Sequence, residues 1–205
     1  MYSTESEISL ADVSKILNAR NYSDTHTTSV KKLHMQVTSG GATNSKGVVI
    51  TNTWLSIPKV KSYDVLAIRP VSSSSISTTL NTASFSAVQI HDGTTISYSL
   101  TGNNTKHVPN YTGTGGIGVS MNIADNVSSS LINKMSMVFM SNNNPFVIEG
   151  TYQHAVKTIT LSQSKDYNFY ATGLGGVLSY NNGLSSYYDG MQGVTVVYNL
   201  NEEYN

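Results

Sequence analysis

Residues 86–100 read SAVQIHDGTTISYSL and set His91 beside Asp92, the pairing by which hydrolases fix one imidazole tautomer and take a proton from a nucleophile. The flanking residues point elsewhere. Val88 and Ile90 before the pair, and Ile96, Tyr98 and Leu100 after it, alternate with polar residues, so two half-buried strands are expected to meet at Asp92-Gly93. Asp-Gly between alternating runs is the signature of a type I′ hairpin turn, which makes Asp92 a turn residue and His91 a strand end. The five histidines, His26, His34, His91, His107 and His154, show no metal-ligand spacing. A Ser-His-Asp site or a metal centre would have to be brought together by the fold. The chain has no cysteine, which removes disulfides, thiolate zinc sites and cysteine nucleophiles together. No metal and no cofactor is expected.

Two further stretches carry candidate chemistry. Residues 113–118, GTGGIG, match the letters of a dinucleotide-binding loop, but that loop must open a helix whose N-terminus receives the pyrophosphate. Here the alternating GVSMNI follows, so the glycines lead into a strand. The segment SYNNGLSSYYDGMQG (179–193) sets Tyr180, Tyr187 and Tyr188 among Asn181, Asn182 and Asp189. Tyrosines with short amides offer flat contact area and directional hydrogen bonds, as a glycan- or receptor-binding loop needs. The same residues would equally serve as edge-strand packing and as Asn-Gly and Asp-Gly turns.

The elements that must position these residues are mostly strands. From Val30 onward apolar residues recur at period two, in VKKLHMQV (30–37), GVVITNTWL (47–55), YDVLAIRP (63–70), the 85–100 hairpin, GVSMNI (118–123), MSMVFM (135–140), PFVIEG (145–150), KTITLS (157–162), YNFYA (167–171), GVLSY (176–180) and VTVVYNL (194–200). This pattern, broken by Gly, Asn and Ser clusters, predicts an all-β fold, an antiparallel β-sandwich or jelly roll. MSMVFM is apolar on both faces and is expected as a central strand or as one buried by another subunit, with methionines filling gaps between sheets. Trp54 is expected as a core anchor, and VSSSSIS (71–77) as a crossing between sheets. Residues 111–120 and 170–179 echo each other around Thr-Gly-x-Gly-Gly, as equivalent corners of two Greek keys would, where paired glycines let the backbone bulge or approach a neighbour closely; a chain with 16 glycines also produces such a match by chance. A short helix is predicted over residues 8–20, with Ser9 and Asp12 at capping-box spacing and Leu10, Val13, Ile16 and Leu17 on one face. The polar NARNYSDTHTTS after it reads as an extended arm. The expected organisation is a helix and arm over 1–28 and one sandwich domain over 29–205.

Composition narrows the partners. Charged residues make up 12% of the chain and the net charge is zero, so no basic field is available to hold nucleic acid or an anionic membrane. Ser, Thr and Asn form roughly a third of the sequence, a bias toward hydroxyl-faced strands and turns. No basic-then-apolar leader opens the chain and no apolar run is long enough to span a bilayer, so neither a signal peptide nor a membrane span is expected. A surface so poor in charge gives little protection against association.

The leading ISLADVSKILNAR, the absence of cysteine and the Ser/Thr/Asn/Gly-rich strands together resemble structural proteins of tailed-bacteriophage virions: tail, fibre, connector or capsid-decoration subunits. The resemblance implies a non-enzymatic protomer, located in the virion after assembly in the host cytoplasm. It would form a homo-oligomer or dock on other virion proteins, with Leu10, Val13, Ile16 and Leu17 of the arm as assembly contacts. The alternatives are a host-surface glycan- or receptor-binding module using Tyr180, Asn181, Asn182, Tyr187, Tyr188 and Asp189, and a hydrolase with a dispersed site.

Overall fold

A computed structural model describes residues 22–39, 45–71, 78–79, 84–108, 115–141, 146–169, 177–190 and 193–198. Seven strands build one antiparallel sheet: β1 (Ser23–Thr27), β2 (Lys31–Ser39), β3 (Ser45–Trp54), β5 (Thr78–Thr79), β6 (Phe85–His91), β7 (Thr94–Tyr98) and β10 (Leu131–Ser141). Their order is β1-β2-β3-β10-β6-β7, with β5 also on β10. A second antiparallel sheet runs β14-β11-β4-β9-β8, from β4 (Tyr63–Val71), β8 (Thr105–Val108), β9 (Gly116–Asn122), β11 (Phe146–Gln153) and β14 (Val194–Tyr198). A small third sheet pairs β12 (Tyr167–Phe169) with β13 (Leu178–Tyr180).

Alternation along each strand assigns the faces. Leu33, Met35 and Val37 of β2, Val48 and Ile50 of β3, and Leu131, Met135 and Met137 of β10 meet Leu66, Ile68, Val119, Met121, Ile148 and Val196 of the second sheet in one buried core. The fold is therefore an all-β sandwich. The second sheet is covered on its outer face as well: Val65 and Ala67 of β4 pack with Tyr167, Phe169, Val177, Leu184 and Tyr188 in a separate buried cluster. That double burial explains why β4 and β9 read as nearly continuous apolar runs.

Several expectations meet their positions directly. MSMVFM lies in β10, flanked by β3 and β6, where Met135 faces Ile50 on one side and Ala87 on the other. Asp92 and Gly93 both take positive φ, 47° and 82°, as a type I′ turn between β6 and β7 requires. The chain leaves the second sheet at Val71 and re-enters the first at Thr78; residues 72–77, the serine run expected to cross between sheets, lie outside the described residues. The helix expected over 8–20, with Leu10, Val13, Ile16 and Leu17, lies outside the described residues, as do 111–114 and 170–176 of the two glycine-rich stretches.

Two elements differ from the sequence reading. KTITLS is not a strand; its end forms a short helix, α1 (Leu161–Ser164), started by a capping box in which Thr160 and Gln163 exchange side-chain to backbone hydrogen bonds. The box satisfies orphan N–H groups locally and outcompetes the period-two pattern. Part of the stretch expected as an extended arm is β1, which pairs with β2 in full register from Ser23↔Gln36 to Thr27↔Lys32. Its Ser, Asp and Thr residues suit a solvent-facing edge strand.

Candidate functional site

At one end of the sandwich, charged side chains enter the core where strands begin or end. Lys31 opens β2 and faces Trp54, the last residue of β3, in the strand register. Asp64 is the second residue of β4, Tyr152 lies near the end of β11 with His154 just beyond, and Asp189 precedes β14. The alternation that buries Leu33 and Met35 also turns Lys31 inward, and the one that buries Leu66 and Ile68 turns Asp64 inward; Lys31 is 1% exposed and Asp64 0%.

Asp64 is the hub. Its Oδ2 accepts from the Tyr152 hydroxyl at 2.5 Å, and its Oδ1 accepts from the Ala155 N–H at 2.9 Å. The His154 Nδ1 lies 3.0 and 3.2 Å from the two carboxylate oxygens. Burial raises the Asp64 pKa above its ordinary value, and the bonds from His154, Tyr152 and Ala155 offset only part of that rise. Burial and the adjacent carboxylate push the Tyr152 phenol well above its own ordinary value, so it stays a donor. The same hydroxyl accepts from Trp54 Nε1 at 3.1 Å and Asn133 Nδ2 at 2.9 Å, and Gln89 Nε2 donates to Asn133 Oδ1 at 3.0 Å. A buried polar chain thus runs Gln89–Asn133–Tyr152–Asp64 through the core.

Asp189 closes the cluster from the opposite end of the sequence. Its Oδ2 is ion-paired with Lys31 Nζ, while its Oδ1 accepts the His154 N–H at 3.0 Å. The Asp189 N–H in turn donates to the His154 carbonyl at 2.9 Å. Lys31 Nζ lies 5.5 Å from the ring centroids of both Trp54 and Tyr152, and the Trp54 ring meets His154 edge-on at 4.8 Å. The lysine is therefore held in an aromatic box with one carboxylate as its ionic partner.

The tyrosine loop is folded into this neighbourhood. Tyr188 is 7% exposed, donates its hydroxyl to the Tyr63 carbonyl at 3.3 Å, and stacks on Tyr180 with centroids 4.3 Å apart. Tyr180 also meets Tyr167 edge-on. The amides of Asn181 and Asn182 donate to the two carboxylate oxygens of Asp166, each at 2.8 Å, and Asn182 takes the left-handed φ of 54°. Tyr187 is half-buried beneath the Lys157 ammonium at 4.8 Å. Of the six candidate residues, only Asp189 joins the Asp64 cluster; Tyr180, Tyr188, Asn181 and Asn182 build the loop itself, and Tyr187 keeps a partly open face.

The histidines do not converge. His34 Nδ1 shares a hydrogen bond with Thr25 Oγ1 at 2.8 Å on the outer face of β2, His91 is buried at the end of β6, and burial lowers the His107 pKa. His154 alone meets a carboxylate, and no serine or threonine hydroxyl is bonded to that pair among the described residues. Asp92 accepts the N–H groups of Ser128, Ser129 and Ser130 at 2.7–2.9 Å, so it ties its hairpin turn to the loop before β10. Among the described residues no group of three or more His, Asp or Glu could hold a metal ion, and no helix is long and apolar enough to cross a membrane.

No family model matches the chain, and no curated protein matches it. Among solved structures it is similar to the collagen-binding subdomain ACE19 of the Enterococcus faecalis surface protein ACE, at 13% identity and a TM-score of 0.44, covering 82% of this chain and 95% of that one. It is also similar to the group B streptococcus pilus 2b backbone protein, at 10% identity and a TM-score of 0.37, covering 80% and 78% of the two chains. A pore-forming protein gives 11% identity and a TM-score of 0.33, covering 64% and 76%. The first two are bacterial surface or pilus proteins, and nothing in the comparisons supports a phage origin. Likenesses this distant carry no argument about function.

Proposed function

We propose that this chain is a non-enzymatic β-sandwich subunit that serves as a structural or binding part of a larger assembly. The observation that supports this most is the closed character of the Asp64 cluster. Each of its carboxylates is bonded to strands or loops of its own fold, joining Lys31 at the start of β2 to Asp189 in the segment before β14. Such an arrangement fastens strand ends together; it presents no reacting group to a substrate. Val30, Leu55 and Val156, next in sequence to cluster residues, are 40%, 55% and 41% exposed, which gives that end an apolar surface suited to contact.

The more specific form of the proposal is the one carried by the sequence texture: a virion component that associates with copies of itself or with other virion proteins. Sedimentation velocity over a wide concentration range tests it. A closed oligomer, ring or tube supports an assembly subunit. A monomer at every concentration, together with glycan or receptor binding that is lost in Tyr187→Ala at unchanged stability, supports a binding module instead. That second reading draws on the half-open face of Tyr187 beside Ser185 and Ser186, both exposed. Turnover of an ester or glycoside that disappears in His154→Ala would overturn both.

A further inference from the structure

We infer that Lys31 and Asp189 react with each other to form an intramolecular amide, a covalent bond between the first residue of β2 and the segment leading into β14. The inference deepens the structural reading above and shares its site.

The geometry on the two sides of the Asp189 carboxyl is unequal, and that inequality is what an acyl transfer needs. Oδ1 is held by the His154 N–H at 3.0 Å, which polarises it as the carbonyl oxygen and can stabilise negative charge developing on it. Oδ2 faces Lys31 Nζ and is the oxygen placed to leave. The ammonium is 1% exposed, boxed by Trp54 and Tyr152, while the carboxylate side chain is 27% exposed. The pair is therefore dry on the amine side and open to solvent on the acid side, where a product water has a route out.

In the reaction, a proton passes from the ammonium to Oδ2 within the pair, giving a free amine and a carboxylic acid. The Nζ lone pair attacks Cγ, the C=Oδ1 electrons move onto Oδ1 under the His154 N–H, and the tetrahedral centre collapses with loss of Oδ2. That oxygen leaves as water, carrying its own proton and a second proton from Nζ. One N–C bond forms, one C–O bond breaks, and no oxidant or second reactant is needed. Holding both groups in one geometry replaces a bimolecular encounter, an advantage that reaches effective molarities of roughly 10⁵ to 10⁸ M in well-oriented systems.

Asp64 acts through its neighbours. It touches neither reacting group by any bond described above, yet it holds the ring of His154, whose backbone N–H grips Oδ1, and the hydroxyl of Tyr152, whose ring walls the amine. It is a positioning residue.

The test is the intact mass of the purified full chain, followed by fragmentation of its proteolytic digest. The expected result is a mass lower than that of the sequence by one water, and a branched peptide joining the segments around Lys31 and Asp189. Lys31→Arg and Asp189→Ala, each checked for folding by circular dichroism, should show the full sequence mass. In folded Asp64→Asn the water loss should be slowed and its rate should follow a changed pH profile. A folded wild-type chain of unreduced mass, with the peptides around 31 and 189 recovered separately, overturns the inference. That outcome would leave the assembly reading untouched, because sedimentation and binding report on it independently.

Discussion

At the scale of single residues, the buried pair Arg69 and Glu149 makes stability depend on pH. The two face each other in the β4–β11 register with Arg69 Nε 3.3 Å from Glu149 Oε2, at 3% and 1% exposure. Burial pushes the Glu149 carboxyl from 4.5 up to about 7, with the Arg69 charge opposing part of that rise. A carboxyl whose folded pKa is raised holds its proton more tightly in the native state. Its contribution is thus full below the unfolded pKa and is lost as pH rises through about 7. Urea unfolding is expected to become easier between about pH 5 and pH 8, by on the order of 3 kcal/mol from this group, and Glu149→Gln should flatten the slope. An identical slope in the variant would refute the assignment. Asp64 shifts in the same direction, so some slope should remain. These residues were partly legible in the sequence: Lys31, Asp64 and Asn133 fall in phase with apolar neighbours, whereas Gln89 was not legible, because β6 buries Ala87, Gln89 and His91 and leaves Val88 and Ile90, the apolar phase of the alternation, only partly buried. A charge at a core parity flags a buried polar group, but its partner is a tertiary fact. Lys31 and Asp189 are separated by 158 positions, and no local pattern joins them.

Between elements, the closest approach is made by glycine. In β9 the register sets Gly118 opposite Ala67 of β4, and a Cβ at Gly118 would overlap the Tyr167 hydroxyl that packs from the small third sheet. Gly116 stands in the same relation to the ring of Phe169. The third sheet can lie on the second only because these positions lack side chains. Gly118→Ala is expected to cost about 1–3 kcal/mol in chemical denaturation, whereas Gly190→Ala, with open space around it, should change stability by less than about 0.5 kcal/mol. Equal effects at the two sites would mean that the third sheet does not depend on this contact. The sequence showed the glycines leading into a strand and allowed either a bulge or a close neighbour, but it did not show which. Strand types were legible wherever alternation ran uninterrupted. KTITLS misled because its alternation ends in a Thr-x-x-Gln capping box, a local hydrogen-bond pattern that hydropathy does not register.

For the whole molecule, the question is where the sandwich ends and the assembly segment begins. β1 is fastened to both sheets: Val37 N–H donates to the Tyr22 carbonyl at 2.8 Å, and Asp24 Oδ2 accepts the Thr195 N–H of β14, also at 2.8 Å. The Tyr22 ring packs on Tyr198 with centroids 4.8 Å apart. Residues 22–27 therefore belong mechanically to the sandwich, and the assembly contacts proposed for Leu10, Val13, Ile16 and Leu17 precede them in the sequence. Two truncations separate these roles. Removing residues 1–21 should leave the unfolding midpoint nearly unchanged and convert any oligomer to monomer in sedimentation velocity. Removing residues 1–28 should also lower stability by a few kcal/mol, because it strips the edge from β2 and leaves Thr195 N–H without its acceptor. It should promote irregular aggregation too, since an uncovered β2 edge is a template for pairing with another chain. An oligomer that survives loss of residues 1–21 would place the contact on the sandwich itself, where exposed Val30, Leu55 and Val156 are the next residues to substitute.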